Sequence, residues 1–171
     1  MLSKKLEEAL NAQVNAEFWS SYLYLSMSSD FAVKGLTGFA NWMNIQFQEE
    51  KDHAIKFFNY IISRGGRPDL RPIAEVQKEW ASPLEAFQST LEHEQVVTKL
   101  INNLYTLATE DQDYATQSTL KWFIDEQVEE EDNARAIIDK LKMIGDNGYG
   151  IYQLDKELAL RVYVPIVTPA P

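Results

Sequence analysis

The sequence predicts an all-α fold: four long helices packed as a bundle, a long crossover between the second and third, and a short fifth helix at the C-terminus. Three observations carry that reading. The seven Gly and six Pro fall in clusters, near 35–38, 65–83, 145–150 and 165–171, and leave long stretches free of both breakers. Those stretches repeat their apolar residues at alternating three- and four-residue steps, the period of a helix buried along one stripe. The chain has 171 residues and is 45% hydrophobic, enough for one domain with a sizeable core and too little for two.

Each element has its own signals. Helix α1 is expected at about 4–33, before Gly35, and α2 at about 38–64, stopped by Gly65 with Arg64 in its last turn. Helix α3 is expected at about 83–109. Its start reads Ser82-Pro83-Leu84-Glu85: an N-cap serine, a proline at the first helical position and a glutamate at the third, the pattern of a capping box. The breaker-free stretch 84–144 is 61 residues long, too long for one ordinary helix, and Thr109-Glu110-Asp111-Gln112-Asp113 is where it divides. Helix α4 then runs at about 114–144, with Asp113 as N-cap and Gly145 after Lys142 as its stop. Helix α5 is expected near 150–161, and the whole chain, 1–171, reads as one domain.

Loop lengths set the topology. The α1–α2 and α3–α4 links are short, so each pair is an antiparallel hairpin. The link from Gly65 to Ala81 reaches about 56 Å when extended, at ~3.3 Å per residue. A 27-residue helix is only about 40 Å long. The link can therefore run the length of the bundle and make α2 and α3 parallel, two hairpins joined by one crossover.

Composition excludes several functions. Lys and Arg number 16 against 26 Asp and Glu, a net charge of −10, so no nucleic acid and no anionic membrane surface is expected as partner. The absence of Cys excludes a disulfide scaffold or a thiolate metal site. The start MLSKKLEEALNAQ is not of signal-peptide type and no run of 18 apolar residues occurs, so a soluble, cytoplasmic protein is expected.

The seams are apolar at their ends and polar in their middles. Helix α1 carries Gln13, Glu17, Ser20 and Tyr24; α2 carries Gln46, Glu50 and His53; α3 carries Glu94; α4 carries Gln127 and Glu130. Glu17, Glu50, His53, Glu94 and Gln127 each lie about 11–15 residues into their helices, so a bundle built on these seams brings them to one level. Burying even one uncompensated carboxylate costs several kcal/mol, and no Lys or Arg occupies these central positions. A multivalent cation is the economical counter-charge. Carboxylates with one imidazole suit Fe, Mn or Zn better than Ca or Mg. Glu50-x-x-His53 puts two ligands on one helix face, and Glu from other helices at the same depth completes a di-iron carboxylate pattern.

A second acidic group adjoins the first: Glu49 beside Glu50, and Glu126, Glu129 and Glu130 around Gln127, which could equally be a solvated acidic face. His93 lies about 100° off the seam and is expected at the surface or between subunits. Met27 and Met43 are expected to fill core rather than ligate haem. Tyr24 is either a core tyrosine or a hydrogen-bond and electron donor to the site. Glu94→Leu is expected to leave metal-free stability unchanged or higher, because Leu would extend an apolar seam.

Glu17, the run Gln48-Glu49-Glu50-Lys51-Asp52-His53, Glu94 and the run Asp125-Glu126-Gln127-Val128-Glu129-Glu130 resemble the bacterial non-haem ferritins, and the resemblance extends over essentially the whole chain. It implies a ferritin-like bundle, iron storage, a homo-oligomeric shell of twenty-four subunits, and a ferroxidase centre oxidising Fe(II) with O2 or H2O2. By position, one iron takes Glu17, Glu50 and His53. The second takes Glu50 as a bridge, Glu94 and Glu130, with Gln127 close by. Glu49, Glu126, Glu129 and Glu130 match a third iron site, and Tyr24 matches the tyrosine beside the centre.

The chain departs from the haem-binding branch. It has Lys51 where that branch carries its haem-ligating Met, and Gln127-x-x-Glu130 where that branch has a second Glu-x-x-His, so no haem is expected. Gln117 to Leu120 contains no acid, so the acidic channel of animal ferritins is not carried over. Competing readings are a di-iron oxidase or peroxidase of rubrerythrin type, a miniature ferritin with iron between subunits, and a non-enzymatic helical scaffold. Trp19, Tyr22, Leu23, Phe47, Ile55, Phe58 and Ile62 lie off the central seam, more apolar surface than one small bundle can bury, so a closed assembly is expected.

Overall fold

The computed structural model describes residues 1–166 as five helices: α1 Lys4–Val33, α2 Thr37–Ser63, α3 Pro83–Glu110, α4 Tyr114–Ile144 and α5 Gly148–Leu158. The caps explain the boundaries. Ser3, Ser82 and Asp113 each accept a backbone N–H of the first turn, from Leu6, Glu85 and Thr116. The reciprocal half of the α3 capping box is shifted by one residue: Glu85 accepts from Ala81 N at 2.7 Å rather than from Ser82. At the end of α2, Gly65 has φ 74°, which lets Gly65 N reach Ile62 O and Gly66 N reach Ile61 O, both at 2.9 Å. The same closure ends α3 without glycine, since Gln112 takes φ 54° and Asp113 N reaches Ala108 O at 2.8 Å.

Helix α5 differs from the expected 150–161. Asn147 caps it by accepting from Gly150 N, so it starts two residues earlier and takes Gly148 and Gly150 into its first turn. It ends at Leu158, and residues 159–166 turn back along α2.

The apolar side chains form two separate cores. One gathers the C-terminal halves of α1 and α4 with the N-terminal halves of α2 and α3: Tyr24, Met27, Phe31, Phe39, Met43, Phe87, Ile137 and Leu141, closed by Leu154 and Leu158 of α5. The other gathers the opposite ends: Leu6, Leu10, Phe57, Ile61, Ile101, Leu104, Leu120 and Phe123. Because α2 and α3 both begin in the first core and end in the second, they are parallel. This is the topology that the crossover length implies.

The crossover, residues 64–82, is fastened along α1 by polar side chains in register. Asn11 donates to Arg67 O at 3.1 Å and accepts from Asp69 N at 2.6 Å. Asn15 donates to Pro72 O at 3.2 Å, and Ser26 to Gln77 O at 2.7 Å. Asp30 accepts from Trp80 N at 3.2 Å. No helix of the described residues is long and apolar enough to cross a membrane.

Candidate metal centre

Between the two cores lies a layer of buried polar side chains to which every long helix contributes, α2 and α4 with two each. Glu17, Glu50, His53, Glu94, Gln127 and Glu130 are each no more than 4% exposed. Three of them form a ligand-like group: one donor atom from each of Glu17, Glu50 and His53 lies within 4.8 Å of the others. Their hydrogen bonding is incomplete. Glu17 Oε2, Glu50 Oε2 and His53 Nε2 are buried without a partner among the described residues. Buried polar atoms without a hydrogen-bond partner are costly in a folded chain. His53 Nδ1 is 3.7 Å from Glu50 Oε1, and the ring is held edge-on by Trp122 and Phe123, with centroids at 5.4 and 5.9 Å.

The electrostatics agree with the geometry. Burial pushes the Glu17 carboxyl well above its ordinary range, and the charge of Glu50 pushes it further. Glu50 is raised in the same way, by burial first and then by Glu94 and Glu130. Glu130 is pushed up to about 8 by burial and by Glu94. Repulsion that favours a proton at each carboxyl favours a metal cation more strongly.

The other expected ligands are present but arranged differently. Glu94 does not join the trio: it accepts a hydrogen bond from the Tyr24 hydroxyl and another from Gln127 Nε2 at 3.0 Å. Glu130 accepts from Gln46 Nε2 at 2.8 Å. Tyr24 is fully buried, and burial together with the Glu94 charge raises its pKa well above the ordinary value, so it remains a donor. Of the outer group, Glu126 is half-buried with Oε1 3.9 Å from His53 Nε2, and Glu129 is exposed. Glu49 is paired with Arg161 at 2.6 Å. The outer residues share a region, since Glu49 is raised by burial first and then, more weakly, by the charges of Glu126 and Glu129, but they do not converge as the inner trio does.

His93 is half-buried, off the seam, and is not part of the ligand-like group. Its Nε2 lies 2.7 Å from Ser20 Oγ, and its ring packs 5.1 Å from Trp19 and 6.1 Å from Tyr24, so it closes the α1–α3 side of the site. Burial lowers its pKa, which favours the neutral ring. One expectation changes: both Glu94 carboxylate oxygens are hydrogen-bonded, so replacement by Leu strands the buried Tyr24 hydroxyl, while Gln127 Nε2 keeps the residue 94 carbonyl and Thr98 Oγ1.

Some contributors were not singled out from the sequence. Gln13 Nε2 donates to Glu17 Oε1 at 2.8 Å and thereby does for α1 what Gln46 does for α4. Their only signal was a polar residue on an apolar seam, one helical turn before a glutamate. Trp122 forms the wall behind His53, with Lys56 Nζ 3.0 Å from its ring centroid. Arg161 had no signal, being beyond the last helix.

A family model described as the Ferritin-like domain matches residues 7–144. The chain belongs to the ferritin family. Its relatives include a bacterial non-heme ferritin from Bacteroides fragilis, 47% identical over 161 residues, covering 94% of this chain and 100% of that protein. A bacterial non-heme ferritin from Staphylococcus aureus is 41% identical over 163 residues, covering 95% of this chain and 98% of that one. Among solved structures, the novel open pore ferritin from the hyperthermophilic archaeon Archaeoglobus fulgidus superposes with a TM-score of 0.94 at 49% identity, covering 95% of this chain and all of that one. The bundle with its long crossover and fifth helix is thus a ferritin fold. In this ferritin Met27 and Met43 are fully buried in the first core, and Lys51 is exposed to solvent.

Proposed function

We propose that the protein stores iron, taking Fe(II) at the buried mid-bundle centre, oxidising it there and passing Fe(III) to a mineral held inside a protein shell. The observation that carries this is the Glu17–Glu50–His53 trio: three buried ligand-type side chains whose donor atoms gather within 4.8 Å, each with one polar atom unpartnered among the described residues, in a chain of the ferritin family. One iron takes Glu17, Glu50 and His53. A second takes Glu50 as bridge, Glu94 and Glu130, with Gln127 beside it. For the second site Glu94 gives up one of its two hydrogen bonds and Glu130 its bond from Gln46.

Two Fe(II) ions give up two electrons as they become Fe(III). That converts O2 and two protons to H2O2, or H2O2 and two protons to two waters. An oxygen-rich ligand set favours the ferric product by charge, and the single imidazole leaves the second iron an oxygen-only site from which product leaves readily. Tyr24 acts through Glu94: its hydroxyl donates to that carboxylate and fixes it. Glu49, Glu126, Glu129 and Glu130 make the outer, third site.

The shell reading draws on the surface. Tyr22, Ile55 and Ile62 are 54%, 39% and 51% exposed in the isolated subunit, and Trp19, Phe47 and Phe58 are half-buried; of the seven off-seam apolar residues only Leu23 is buried. Together they form an apolar face on the α1–α2 hairpin suited to another copy of the chain. A homo-oligomer of twenty-four subunits in the cytoplasm is the assembly proposed.

The deciding experiment is stopped-flow oxidation at two Fe(II) per chain. His53→Ala removes the sole imidazole of the trio and should slow the fast phase at least tenfold while light scattering shows the same particle size. An unchanged initial rate would place the chemistry elsewhere, and the absence of any fast ferric signal in the wild type would leave a scaffold bundle.

A further inference from the structure

The last described residues make contacts that the bundle itself does not require. Beyond α5 the chain doubles back along α2, fastened by Asn41 Nδ2, which donates to Leu158 O at 3.3 Å and Arg161 O at 3.1 Å. Arg161 lies with its guanidinium 4.5 Å from the Trp42 ring centroid. Its Nη1 donates to Trp42 O at 3.3 Å and its Nη2 to Glu49 Oε2 at 2.6 Å. Tyr163 donates its hydroxyl to Asp52, and Ile166 N reaches the same carboxylate at 3.4 Å. The segment therefore grips α2 at positions 49 and 52, immediately outside Glu50 and His53.

Glu49 is one of the four carboxylates assigned above to the outer iron. Among the described residues Arg161, on Glu49, is the one lysine or arginine within ion-pair distance of any of the four. The Arg161 charge is also felt at Glu126, where it opposes the effect of burial as it does at Glu49. A metal dication held by Glu49 and Glu126 would sit close to the guanidinium, in a partly desolvated site where like charges repel strongly. The two cations compete for the same carboxylate.

We propose that Arg161 is a tethered counter-cation for the outer site: it balances Glu49 until a divalent metal ion arrives, and the metal displaces it and loosens the hold of residues 159–166 on α2. The proposal rests on the assignment of Glu49, Glu126, Glu129 and Glu130 as the outer site. It makes Arg161 a determinant of metal affinity there without touching the inner centre. Tethering matters because an attached cation competes at a fixed, high effective concentration, whatever the salt. The segment also has anchors that are independent of Glu49, at Asn41, Trp42 and Asp52, so it can rebind once the metal leaves for the mineral.

Zn(II) titration of the full-length protein by calorimetry, paired with hydrogen exchange of the peptide covering 159–166, tests this without any redox chemistry. Wild type should show inner sites and a weaker class. Arg161→Gln should tighten the weaker class roughly tenfold and leave the inner class alone, whereas Arg161→Lys, which keeps the charge, should stay near wild type. Glu49→Gln should remove the weaker class. In wild type, exchange of 159–166 should rise as the weaker class fills, and Glu49→Gln should show no such step. If Glu49→Gln removes the class but Arg161→Gln leaves its affinity and the exchange unchanged, the outer site stands and the role of Arg161 falls. If neither substitution alters any class of Zn(II) site, the outer-site assignment itself is wrong and the proposal falls with it.

Discussion

Replacing Glu50 by Gln in the metal-free protein should stabilise the fold while destroying the site. Glu50 is 1% exposed, has one oxygen without a partner, and is pushed well above its ordinary range of 4.5 by burial and by Glu94 and Glu130. At pH 7 the wild type must either bury this charge or take up a proton to avoid it. The second route limits the penalty. Holding a proton at pH 7 on a group that ordinarily loses it at 4.5 costs about 1.36 kcal/mol per pH unit, or roughly 3 kcal/mol. Gln has the same shape and no charge, and its amide can donate to the vacant Glu17 Oε2. After some loss to imperfect geometry, a gain of about 1–3 kcal/mol is expected, roughly 3–8 °C in melting temperature for a chain of this size.

The sign depends on pH. A carboxyl with a raised folded-state pKa destabilises only where the unfolded chain has given up the proton. The penalty is therefore absent below about 4.5 and grows as pH rises. Chelator-treated wild type and Glu50→Gln, melted at equal concentration at pH 7 and pH 5, should differ clearly at pH 7 and much less at pH 5. Rapid Fe(II) oxidation should be lost in the same variant. A lower melting temperature for Glu50→Gln at pH 7, or a difference that does not change with pH, would refute the reasoning, because Glu50 would then be a satisfied structural carboxylate.

Other substitutions separate satisfied from unsatisfied groups. Glu94→Leu strands the Tyr24 hydroxyl, while Gln127 Nε2 keeps the residue 94 carbonyl and Thr98 Oγ1, and should lower metal-free stability by about 1–3 kcal/mol, with Glu94→Gln closer to wild type in the same melts. Asp113 is held down to about 2 by Arg64, through hydrogen bonds of 2.7 and 2.9 Å, and also caps α4. Asp113→Ala should cost about 2–3 kcal/mol at neutral pH. Because the depressed pKa stabilises only above the ordinary 3.8, the part due to the ion pair should fade in denaturant titrations as pH falls toward 2. A Cβ on Gly38 would lie 1.6 Å from the Asp155 carbonyl oxygen, so Gly38→Ala should detach α5 from α2, at a cost of about 2–4 kcal/mol and with faster hydrogen exchange over 148–158.

Much of this molecule was legible because its patterns are redundant. The four seams, the Ser82-Pro83 start, the Asp113 cap and the crossover length each point to the same topology, and the structure has it. The polar layer was legible for a related reason: Glu17, Glu50, His53 and Glu94 break apolar seams at equal depth, which no packing requirement explains. What the sequence left hidden is how those groups are served. Whether Glu94 turns to Tyr24 or toward Glu50 depends on side-chain torsions, not on spacing. The 100° offset of His93 from the seam does not reveal that its ring meets Trp19 and its Nε2 meets Ser20, both on α1. Arg161 reaches Glu49 across 112 residues of sequence, beyond any local pattern.

The separation of the apolar side chains into two cores bears on how the protein unfolds. Hydrophobic cooperativity depends on continuous contact, and here it is interrupted at mid-length by a stratum of carboxylates, carboxamides and imidazole. Mechanically the described residues make two short bundles in series that share four helices. Without metal, either half can loosen without dragging the other with it, so native-state exchange should resolve two units of different protection. Ions bridging ligands from all four helices would rivet the halves at their common plane. In that respect the cargo is also a structural part: an iron-loaded subunit opens as one body, and an iron-poor one opens in two stages, which would give the cell a difference in persistence between filled and unfilled subunits.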